Sequence, residues 1–400
     1  MLKICYLTYY TYPEVQGGAP LYTYRIANYF TKRNFDVLVI GRKCNGMSDE
    51  ISFHNIRIKR IHNLRFNWTN YYRIIDKNFF FPLSIYKDVL KECKNADFFH
   101  IISSSLFFPT GYLVKKKFKI PIVVSIIEDL WTNLYGSFFA DLYLMYQRWQ
   151  LKMALKYADA IVVHSDYALE RIKKNYPKYI QKVVRIYEGI DPLIGKQLEK
   201  QNNKHINNNE KIILVAGSLV KGKNLEVVLK AIKKLKDKDF KLKLLIIGDG
   251  PLRNHLKNLV KKLEIEKLVT FVGEVKHEEI AKFYNLADII IQPSKGEGSQ
   301  PPPSVIEYLA SGKPVIISEA CDMSGLLKDC TLRFNPNDED ILSQKIEKLL
   351  TDKDLCEKIG KKGKETVCKY FSSEQFFREF KRIYDYFLPP KSTSHSSLLE

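Results

Sequence analysis

Two glutamates in the segment QPSKGEGSQPPPSVIEYLASGKPVI, residues 292–316, are the strongest candidates for chemistry in this sequence. A predicted strand ends just before a loop that carries Glu297 and Gly298, and prolines then lead into a helix with Glu307 about one turn inside it. The Glu307 carboxylate can accept two hydrogen bonds from the vicinal hydroxyls of a ribose, but it would repel a phosphate. Each glutamate alone could equally be a solvated surface group.

A second loop, GSLVKGKN at residues 217–224, has the composition of a phosphate site. It lies between a predicted strand that ends at Gly217 and a helix that begins near Asn224. Lys221 and Lys223 stand beside the helix start, where their charge adds to backbone N–H groups that lack a helical acceptor. Two lysines in a loop are also commonly only solvated. A phosphate loop together with the two carboxylates nevertheless suggests a nucleotide sugar as the ligand.

The third candidate is the glycine pair Gly17-Gly18, which lies in the sequence TYPEVQGGAP between the first predicted strand and the first predicted helix. Glycines at a helix start let the backbone approach a ligand and direct free N–H groups at an anion. The alternative interpretation is an ordinary strand-to-helix loop.

The other patterns of potentially reactive residues do not match a known type of site. Gly248-Asp249-Gly250 follows a predicted strand but lacks the third glycine of a dinucleotide fingerprint, so a Rossmann dehydrogenase is not indicated. The eight histidines show no paired spacing for a metal, and the acidic runs at 237–239 and 338–340 lie in hydrophilic stretches. The sequence therefore predicts neither a metal site nor a cofactor.

Composition limits the class of protein further. Of the 400 residues 45% are apolar, and 64 basic against 45 acidic residues give a net charge of +19, most of it in the first half of the chain. This charge attracts phosphates of any kind, but no nucleic-acid-binding module is recognisable, so no nucleic-acid partner is expected. Seven cysteines without a C-x-x-C pair, and an N-terminus without an apolar signal segment, favour a cytoplasmic protein.

The elements that must position these loops are predicted by short β-branched and aromatic runs. The runs alternate with segments of helical period, which is typical of parallel α/β sheets. Most runs are apolar on both faces, as strands covered by helices on both sides require. The predicted strands are 3–9, 36–41, 55–61, 98–102, 120–127, 160–165, 183–187, 212–219, 242–248, 268–273, 288–294 and 314–318.

A polar, Asn-rich segment divides these strands into two sets and predicts the domain organisation. We expect an N-terminal Rossmann-like domain at 1–190, an interdomain linker at 191–210 and a C-terminal nucleotide-sugar domain at 211–371. The aromatic spacing at 372–388 predicts a final amphipathic helix that packs back on the N-terminal domain, and 389–400 is expected to be a disordered tail.

Taken together, these features resemble the retaining glycosyltransferases of family 4. The resemblance extends over nearly the whole chain and rests on eight motifs in the order of that family, which is far more specific than any one of them. The motifs are Gly17-Gly18, Ala158-Asp159 followed by AIVVHS, Gly189-Ile190-Asp191, AGSLVKGKN, LLIIGDGPLRNHL, VTFVGEV, LADIIIQPSKGEG and IEYLASGKPVI. The resemblance implies the GT-B fold, in which two Rossmann-like domains with parallel sheets face each other across a cleft, the donor on the second domain and the acceptor on the first.

The resemblance also implies roles for single residues. Lys223 would bind the diphosphate, Glu307 the ribose, and Glu297 with the backbone N–H groups after it the sugar, while Gly17-Gly18 would close over the phosphates. The implied catalytic residues are Glu297, Lys223, His100 and Glu128. The implied donor-binding residues are Gly17, Gly18, Gly217, Ser218, Lys223, Gly273, Val275, Glu297, Gly298, Ser299 and Glu307.

Several positions depart from the family's pattern. Ser218 stands where the family has an arginine. The sequence IED at 127–129 stands where the family has His-Asp, so Glu128 is the candidate replacement for the histidine. His100 keeps its family position, in the D-x-x-H segment that begins at Asp97. The spacing between the two glutamates is longer than the family's, which we interpret as an insertion at the prolines.

The resemblance therefore implies a metal-independent, retaining hexosyltransferase that moves a hexose from a nucleotide diphosphate sugar to a glycan, with a lipid-linked glycan as one candidate acceptor. In the family's front-face route the leaving phosphate oxygen takes the proton of the acceptor hydroxyl. Lysine and helix N–H groups stabilise the departing diphosphate. The alternatives are a nucleotide-sugar epimerase or phosphorylase on the same fold, and a catalytically weak sugar-binding or partner subunit.

Basic and aromatic residues in the N-terminal half suggest an anionic membrane surface as a further partner. Four basic residues between 57 and 65, among them Arg60, precede the aromatic segment 68–86, and four lysines lie at 115–119. Cations beside Trp, Tyr and Phe suit the interface of an anionic bilayer, which would make this a peripheral protein at the cytoplasmic face. The alternative is that the aromatic residues are core and the cations a solvated face.

Overall fold

The computed structural model divides the chain into two compact units. The first unit is formed by Met1–Ile186 together with Phe377–Glu400, and the second by Tyr187–Phe376. The residues described are 1–400 except 14, 16, 17, 45, 63–80, 103–107, 128–130, 132–137, 201–209, 297–300 and 389–400.

A largely parallel sheet of eight strands forms the centre of the first unit. Its strands are β1 (Lys3–Leu7), β2 (Asp36–Arg42), β3 (Glu50–Phe53), β4 (Ile56–Ile61), β5 (Phe98–Ile102), β6 (Ile122–Ile126), β7 (Ala160–Val163) and β8 (Val183–Arg185). The described residues of this part of the chain form the helices α1 (Gly18–Thr31), α2 (Phe81–Glu92), α3 (Phe108–Phe118), α4 (Phe138–Tyr157) and α5 (Asp166–Asn175). The strand order is β3-β4-β2-β1-β5-β6-β7-β8, and β3 pairs antiparallel to β4 at one edge.

The central strands of this sheet are apolar along their whole length because both faces are covered. All five residues of β5 and all five of β6 are buried. Alternating inward and outward residues would be expected if one face met water. The continuous apolar runs of the sequence therefore predict the inner strands correctly.

A parallel sheet of six strands forms the centre of the second unit. Its strands are β9 (Lys211–Ala216), β10 (Leu242–Ile247), β11 (Val269–Gly273), β12 (Ile289–Gln292), β13 (Val315–Ser318) and β14 (Leu332–Phe334). The helices that follow α5 are α6 (Pro192–Lys200), α7 (Leu225–Lys236), α8 (Arg253–Lys262), α9 (Ile280–Leu286), α10 (Pro303–Ala310), α11 (Glu339–Thr351), α12 (Lys353–Tyr370) and α13 (Ser373–Phe387). The strand order is β11-β10-β9-β12-β13-β14.

This strand order creates a switch point beside β9. From β9 the chain proceeds outward through β10 and β11, and then returns to place β12 on the other side of β9. Loops that leave neighbouring strands in opposite directions open a crevice at the carboxyl ends of those strands, where α/β proteins bind ligands. The loops after β9 and β12 contain the two segments singled out in the sequence, 217–224 and 292–316.

All twelve predicted strands are present, whereas β3 and β14 were not predicted. Both lie at sheet edges and are short, with four and three residues. An edge strand buries less side-chain surface, so its sequence does not need the apolar run that reveals an inner strand.

The predicted linker at 191–210 is corrected in its first half. Residues Pro192–Lys200 form α6, in which Ile194 is 0% and Leu198 6% exposed within a core cluster of the second unit. The Asp191 carboxylate accepts the backbone N–H of Leu193 at 2.8 Å and so caps the helix start. Two apolar residues four apart were enough to bury one helix face in an otherwise polar segment. The rest of the predicted linker, 201–209, lies outside the described residues.

The final helix, α13, brings an aromatic face into the core of the first unit. Phe377 stacks on Tyr29 with ring centroids 4.4 Å apart. Tyr384, 1% exposed, stacks on Phe30 at 4.3 Å. The helix begins in the second unit, to which the chain up to Phe376 belongs, and continues in the first.

A chain of buried polar side chains connects α13 with the middle of the sheet. The Tyr384 hydroxyl lies 2.6 Å from Nδ1 of His100, and Nε2 of His100 lies 2.8 Å from Oγ of Ser125. The Tyr22 hydroxyl lies 3.4 Å from the same Oγ and 3.0 Å from Nε2 of His164. Tyr22 is about one turn into α1, so these hydrogen-bonded side chains join α1 to α13.

The two buried histidines of this hydrogen-bonded series, His100 and His164, are held neutral. Burial lowers the pKa of His100 to about 3 and that of His164 to about 4. Nδ1 of His164 lies 2.7 Å from the carbonyl oxygen of Ile186 and must donate to it, so Nε2 accepts from the Tyr22 hydroxyl. A charged ring would lose its solvation without gaining a carboxylate in return.

The structure corrects one member of the predicted basic cluster at 57–65, because Arg60 is buried whereas Arg57 is exposed. Arg60 is 2% exposed, and its guanidinium donates to Thr11 Oγ1 at 3.2 Å and to the Ser48 carbonyl at 3.0 Å. The reason is the alternation along β4, in which Ile56, Ile58 and Arg60 point inward. Residues 68–80 of the predicted aromatic segment lie outside the described residues. No helix in the described part of the chain is long and apolar enough to cross a bilayer.

Candidate active site

Glycines at the ends of β9 and β10 bring two backbone segments into direct contact. The Gly217 N–H donates to the Ile247 carbonyl at 3.0 Å. Gly248 has a φ of +116°, and a methyl group on its Cα would lie 2.2 Å from the Gly217 carbonyl oxygen. A side chain at this position would therefore be strained and would also collide with backbone. The contact fixes the path of the loop 217–224 as it leaves the switch point.

Lys223 is positioned over this loop by a single 3₁₀ turn and by the residue after it. Asn224 has a left-handed backbone, with a φ of 53°, and its side-chain amide donates to the Pro293 carbonyl at 3.2 Å. Cε of Lys223 would lie 3.7 Å from a methyl group on Gly217, so its aliphatic chain runs along that glycine. Lys223 thus lies at the carboxyl end of β9, where the sequence predicts a phosphate.

The loop after β12 is joined to the same turn. The Lys295 N–H donates to the Gly222 carbonyl at 2.9 Å. Lys221 and Lys295 line one small pocket together with Asn224. Because β9 and β12 pair directly, the two loops supply basic residues to one place.

Glu307 is buried at the same end of the sheet. It lies about one turn into α10, is 7% exposed, and accepts the Tyr284 hydroxyl at 3.0 Å. Burial, and next the Glu307 carboxylate, raise the pKa of Tyr284, which therefore stays a neutral donor. The neighbouring Tyr308 donates its hydroxyl to the Ala216 carbonyl at 3.1 Å, which ties α10 to the last residue of β9. The structure thus places α10, which carries Glu307, beside the end of β9, where the 217–224 loop begins.

Asp249 and Arg253 form an ion pair at the carboxyl end of β10. The sequence did not reveal this pair as part of the site. Arg253 Nη1 lies 2.5 Å from one Asp249 oxygen, and the Gly250 N–H donates to the other at 2.7 Å. The Gly250 N–H and the guanidinium lower the pKa of Asp249. The guanidinium would also lie 3.8 Å from a methyl group on Gly273. The pair could have been predicted from its spacing, because an aspartate and an arginine four residues apart flank a turn between a strand and a helix.

The other predicted donor residues of the second unit have different surroundings. Ser218, the replacement for the family's arginine, is exposed. Gly273 ends β11 with a φ of +90°, a backbone that favours glycine. The Val275 side chain is partly buried and packs against a core cluster. Glu297, Gly298 and Ser299 lie outside the described residues.

In the first unit, Gly18 begins α1 and is exposed, with no atom within 4 Å of where its Cβ would be. This open backbone at a helix start fits the predicted anion contact. Gly17 and Glu128 lie outside the described residues.

The predicted catalytic role of His100 is corrected. The ring is 0% exposed, and both nitrogens are used, one with Tyr384 and one with Ser125. The D-x-x-H spacing places His100 in the middle of β5, which is buried on both faces. His100 therefore stabilises the first unit rather than contacting a substrate. Among the described residues, no group of three or more His, Cys, Asp and Glu side chains could hold a metal ion.

Two protein families match the chain one after the other. The family described as Glycosyltransferase Family 4 matches residues 16–192, and Glycosyl transferases group 1 matches residues 196–366. The uncharacterized glycosyltransferase MJ1178 of Methanocaldococcus jannaschii is 26% identical over 390 residues, which are 94% of this chain and 95% of MJ1178. MJ1607 of the same organism is 28% identical over 214 residues, which span about half of each protein, 51% of this chain and 54% of MJ1607.

Solved structures show the same fold along nearly the whole chain. Sucrose-phosphate synthase from Thermosynechococcus elongatus superposes with a TM-score of 0.78 at 19% identity, covering 96% of this chain and 98% of that one. Anabaena Alr3699/HepE in complex with UDP-glucose gives a TM-score of 0.71 at 15% identity and covers 96% and 100% of the two chains. The predicted GT-B fold, with two Rossmann-like parallel sheets, is confirmed.

Proposed function

Because this chain belongs to the glycosyltransferases of group 1 and family 4, we propose that it transfers a hexose from a nucleotide diphosphate sugar to a glycan and retains the anomeric configuration. The observation that supports this proposal is that Lys223 follows β9 and lies along Gly217, while Tyr308, the neighbour of Glu307, is hydrogen-bonded to the last residue of the same strand. The Lys223 ammonium is suited to bind the phosphates of a nucleotide, and the buried Glu307 carboxylate is suited to accept hydrogen bonds from its ribose.

The electrostatics of this edge support a diphosphate as the charged part of the donor. Lys223 lies along Gly217, and Lys221 and Lys295 line a pocket beside it, whereas the charge of Arg253 is paired with Asp249. The three lysines come from the loops after β9 and β12, so positive charge is concentrated at the carboxyl ends of these two strands. The presence of UDP-glucose in the HepE structure is consistent with a nucleotide sugar as donor.

In the proposed reaction the bond between the sugar C1 and the leaving phosphate oxygen breaks with its electron pair on the oxygen. The acceptor hydroxyl oxygen bonds to C1 on the same face, and its proton moves to the leaving phosphate oxygen. Lys223 stabilises the negative charge that grows on the diphosphate. A lysine and backbone N–H groups acting in this way would make a divalent cation unnecessary. Glu297 remains the proposed contact to the sugar.

Transfer of the sugar to water tests this function without knowledge of the acceptor. We expect one or a few members of a panel of nucleotide diphosphate sugars to raise the melting temperature and to release nucleoside diphosphate slowly, with EDTA present or absent. Proton NMR of the first-formed hexose, before mutarotation, should show the anomer of the donor. Stabilisation by a donor without release of diphosphate would favour the binding-subunit alternative, and the opposite anomer would contradict retention.

Glu307→Gln is expected to weaken binding of the preferred nucleoside diphosphate about 10- to 100-fold, the scale of a lost charge-assisted hydrogen bond. Isothermal titration should show this loss with the ribonucleotide but not with its 2′,3′-dideoxy analogue, because the proposed partners are the two ribose hydroxyls. Tyr284→Phe serves as the matched control, since it removes the hydroxyl on Glu307 but keeps the carboxylate. Equal losses with both nucleotides would mean that Glu307 only supports the fold.

We further propose that the acceptor is a lipid-linked glycan reached from the cytoplasmic face, by a protein bound peripherally to the membrane. The support is the positive charge of the N-terminal half, which is the expected acceptor side. An anionic surface would concentrate such a protein close to its acceptor.

A further inference from the structure

The outer face of α4 exposes three large apolar side chains in a row. Leu142 is 45% exposed, Met145 62% and Trp149 48%. Their spacing of three and four residues places them on one stripe of the helix. The opposite face is buried, with Leu151 and Leu155 both 0% exposed in the core of the first unit. Contiguous apolar side chains on a surface, beyond those that pack the core, mark an interaction site.

The same stripe changes character along the helix. Lys152 and Lys156 continue it toward the C-terminal end, and both are exposed. With a rise of 1.5 Å per residue, the apolar part from Leu142 to Trp149 is about 10 Å long and the lysines extend over about the next 10 Å. The stripe therefore has an apolar end and a basic end. The acidic residue of this helix is Asp141, at the apolar end.

The neighbouring helix α3 adds further charge at the basic end. Lys115 of α3 binds the Asp159 carboxylate just after α4, at 2.6 Å. Gly111 in the first turn of α3 lies against Tyr157 at the C-terminal end of α4, so α3 runs past this end of α4 and brings Lys115 to Asp159. The exposed Lys116 and Lys117 of α3 therefore lie close to the basic end of the stripe, whereas the charge of Lys115 is already paired.

We propose that this face of α4 docks the first unit on an anionic phospholipid surface. An obliquely inserted helix would place Leu142, Met145 and Trp149 within the outer 5–10 Å of the bilayer, about the depth that interfacial helices reach. Tryptophan is suited to this boundary because it has an apolar body and a polar N–H. The lysines would then lie at the level of the lipid phosphates.

A second copy of this chain fits the surface less well. In a two-fold dimer the same patch meets itself, so the lysines of both copies would be brought close together at its basic end. A lipid surface supplies the opposite charge along its whole extent. The inference rests on the peripheral membrane binding proposed above and assigns it to one surface, but it does not depend on sugar transfer.

Co-sedimentation with vesicles tests the docking surface. The full chain should bind vesicles of phosphatidylcholine with about 30 mol% phosphatidylglycerol at about 50 mM NaCl, and lose most of this binding at about 500 mM, where salt screens the charges. Lys152→Gln/Lys156→Gln should weaken binding about 30-fold, the value for the loss of two cations at about 1 kcal/mol each. Lys358→Gln/Lys361→Gln, an equal charge change on exposed residues of the second unit, should not.

A separate readout tests insertion by the apolar end. Vesicles should shift the tryptophan emission of the native protein to shorter wavelength, and Trp149→Phe should abolish the shift while it keeps most of the binding. Met145→Ser/Trp149→Ser should lose binding, with an unchanged melting temperature because both side chains are exposed.

Several outcomes would overturn the docking proposal. The first is binding that does not depend on salt, or no binding at all. The second is an equal loss of vesicle binding in the α4 variant and in the control variant. The third is a concentration-dependent dimer that Met145→Ser/Trp149→Ser dissociates, which would assign the face to a second copy. The vesicle assay contains no nucleotide sugar, and the diphosphate-release assay contains no lipid, so the docking surface and the sugar transfer fail or succeed separately.

Discussion

Replacement of Lys223 by methionine is expected to lower kcat/KM for the nucleotide sugar about 100- to 1,000-fold, the scale of losing one preorganised contact to transition-state charge. Methionine keeps an apolar chain along Gly217, so the change removes the ammonium and little packing. The loss should fall mainly on kcat, because the charge on the diphosphate grows as the bond to C1 breaks.

Steady-state release of nucleoside diphosphate measures this effect. Lys221→Met is the matched control, since it removes a lysine from the same 3₁₀ turn. We expect the control to lose far less activity than Lys223→Met. Comparable losses would show that the loop acts through its total charge, and an unaffected Lys223→Met would remove this lysine from the mechanism.

Acidification is expected to destabilise the first unit by up to about 1.4 kcal/mol per pH unit for each of two buried histidines. In the unfolded chain His100 and His164 take up protons near the ordinary pKa of 6.5, whereas in the folded unit they do so only at about 3 and about 4. Between these values the unfolded chain binds more protons. The stability is therefore complete above pH 6.5 and decreases as the pH falls toward 4.

Urea unfolding between about pH 7 and pH 4, followed by tryptophan fluorescence, tests this dependence on pH. All three tryptophans, Trp68, Trp131 and Trp149, belong to the first unit, so the signal reports on that unit. His164→Asn should reduce the slope by about one half, because one of the two titrating rings is removed. His255→Asn, at an exposed histidine of the second unit, should leave the slope unchanged. An equal dependence of stability on pH in the native protein and in both variants would contradict the assignment to the buried histidine rings.

The sequence predicted the inner strands and the loops at the switch point because local composition determines both. A strand buried on two faces needs an apolar run, and a loop between a strand and a helix needs glycine and a helix-start signal. The place of His100 could not be predicted in the same way, since its hydrogen-bond partner Tyr384 is 284 residues further along the chain. The D-x-x-H motif gave its strand position correctly but carried no information about what covers the strand.

Surface features were the least predictable part of the candidate sites. The charge of Arg60 suggested a surface position, but the alternation along β4 buries it. The exposed apolar residues of α4 were not recognised from the sequence, because residue spacing does not tell which of two apolar stripes faces the sheet. The pairing of Asp249 with Arg253 depends on a turn whose geometry is fixed by contacts between glycine backbones.

The division of the first unit between two stretches of chain affects how the protein is made. Residues 1–186 leave the ribosome long before Tyr384 is synthesised, and so His100 and Tyr6 lack the hydroxyl they share in the finished core. At elongation rates of about 5–20 residues per second, the intervening second unit imposes a delay of roughly 10–40 s. During that time Tyr29 and Phe30 lack the aromatic side chains of α13 that stack on them in the finished unit. A premature stop codon after Phe376 would for the same reason damage the unit at the opposite end of the sequence from the mutation.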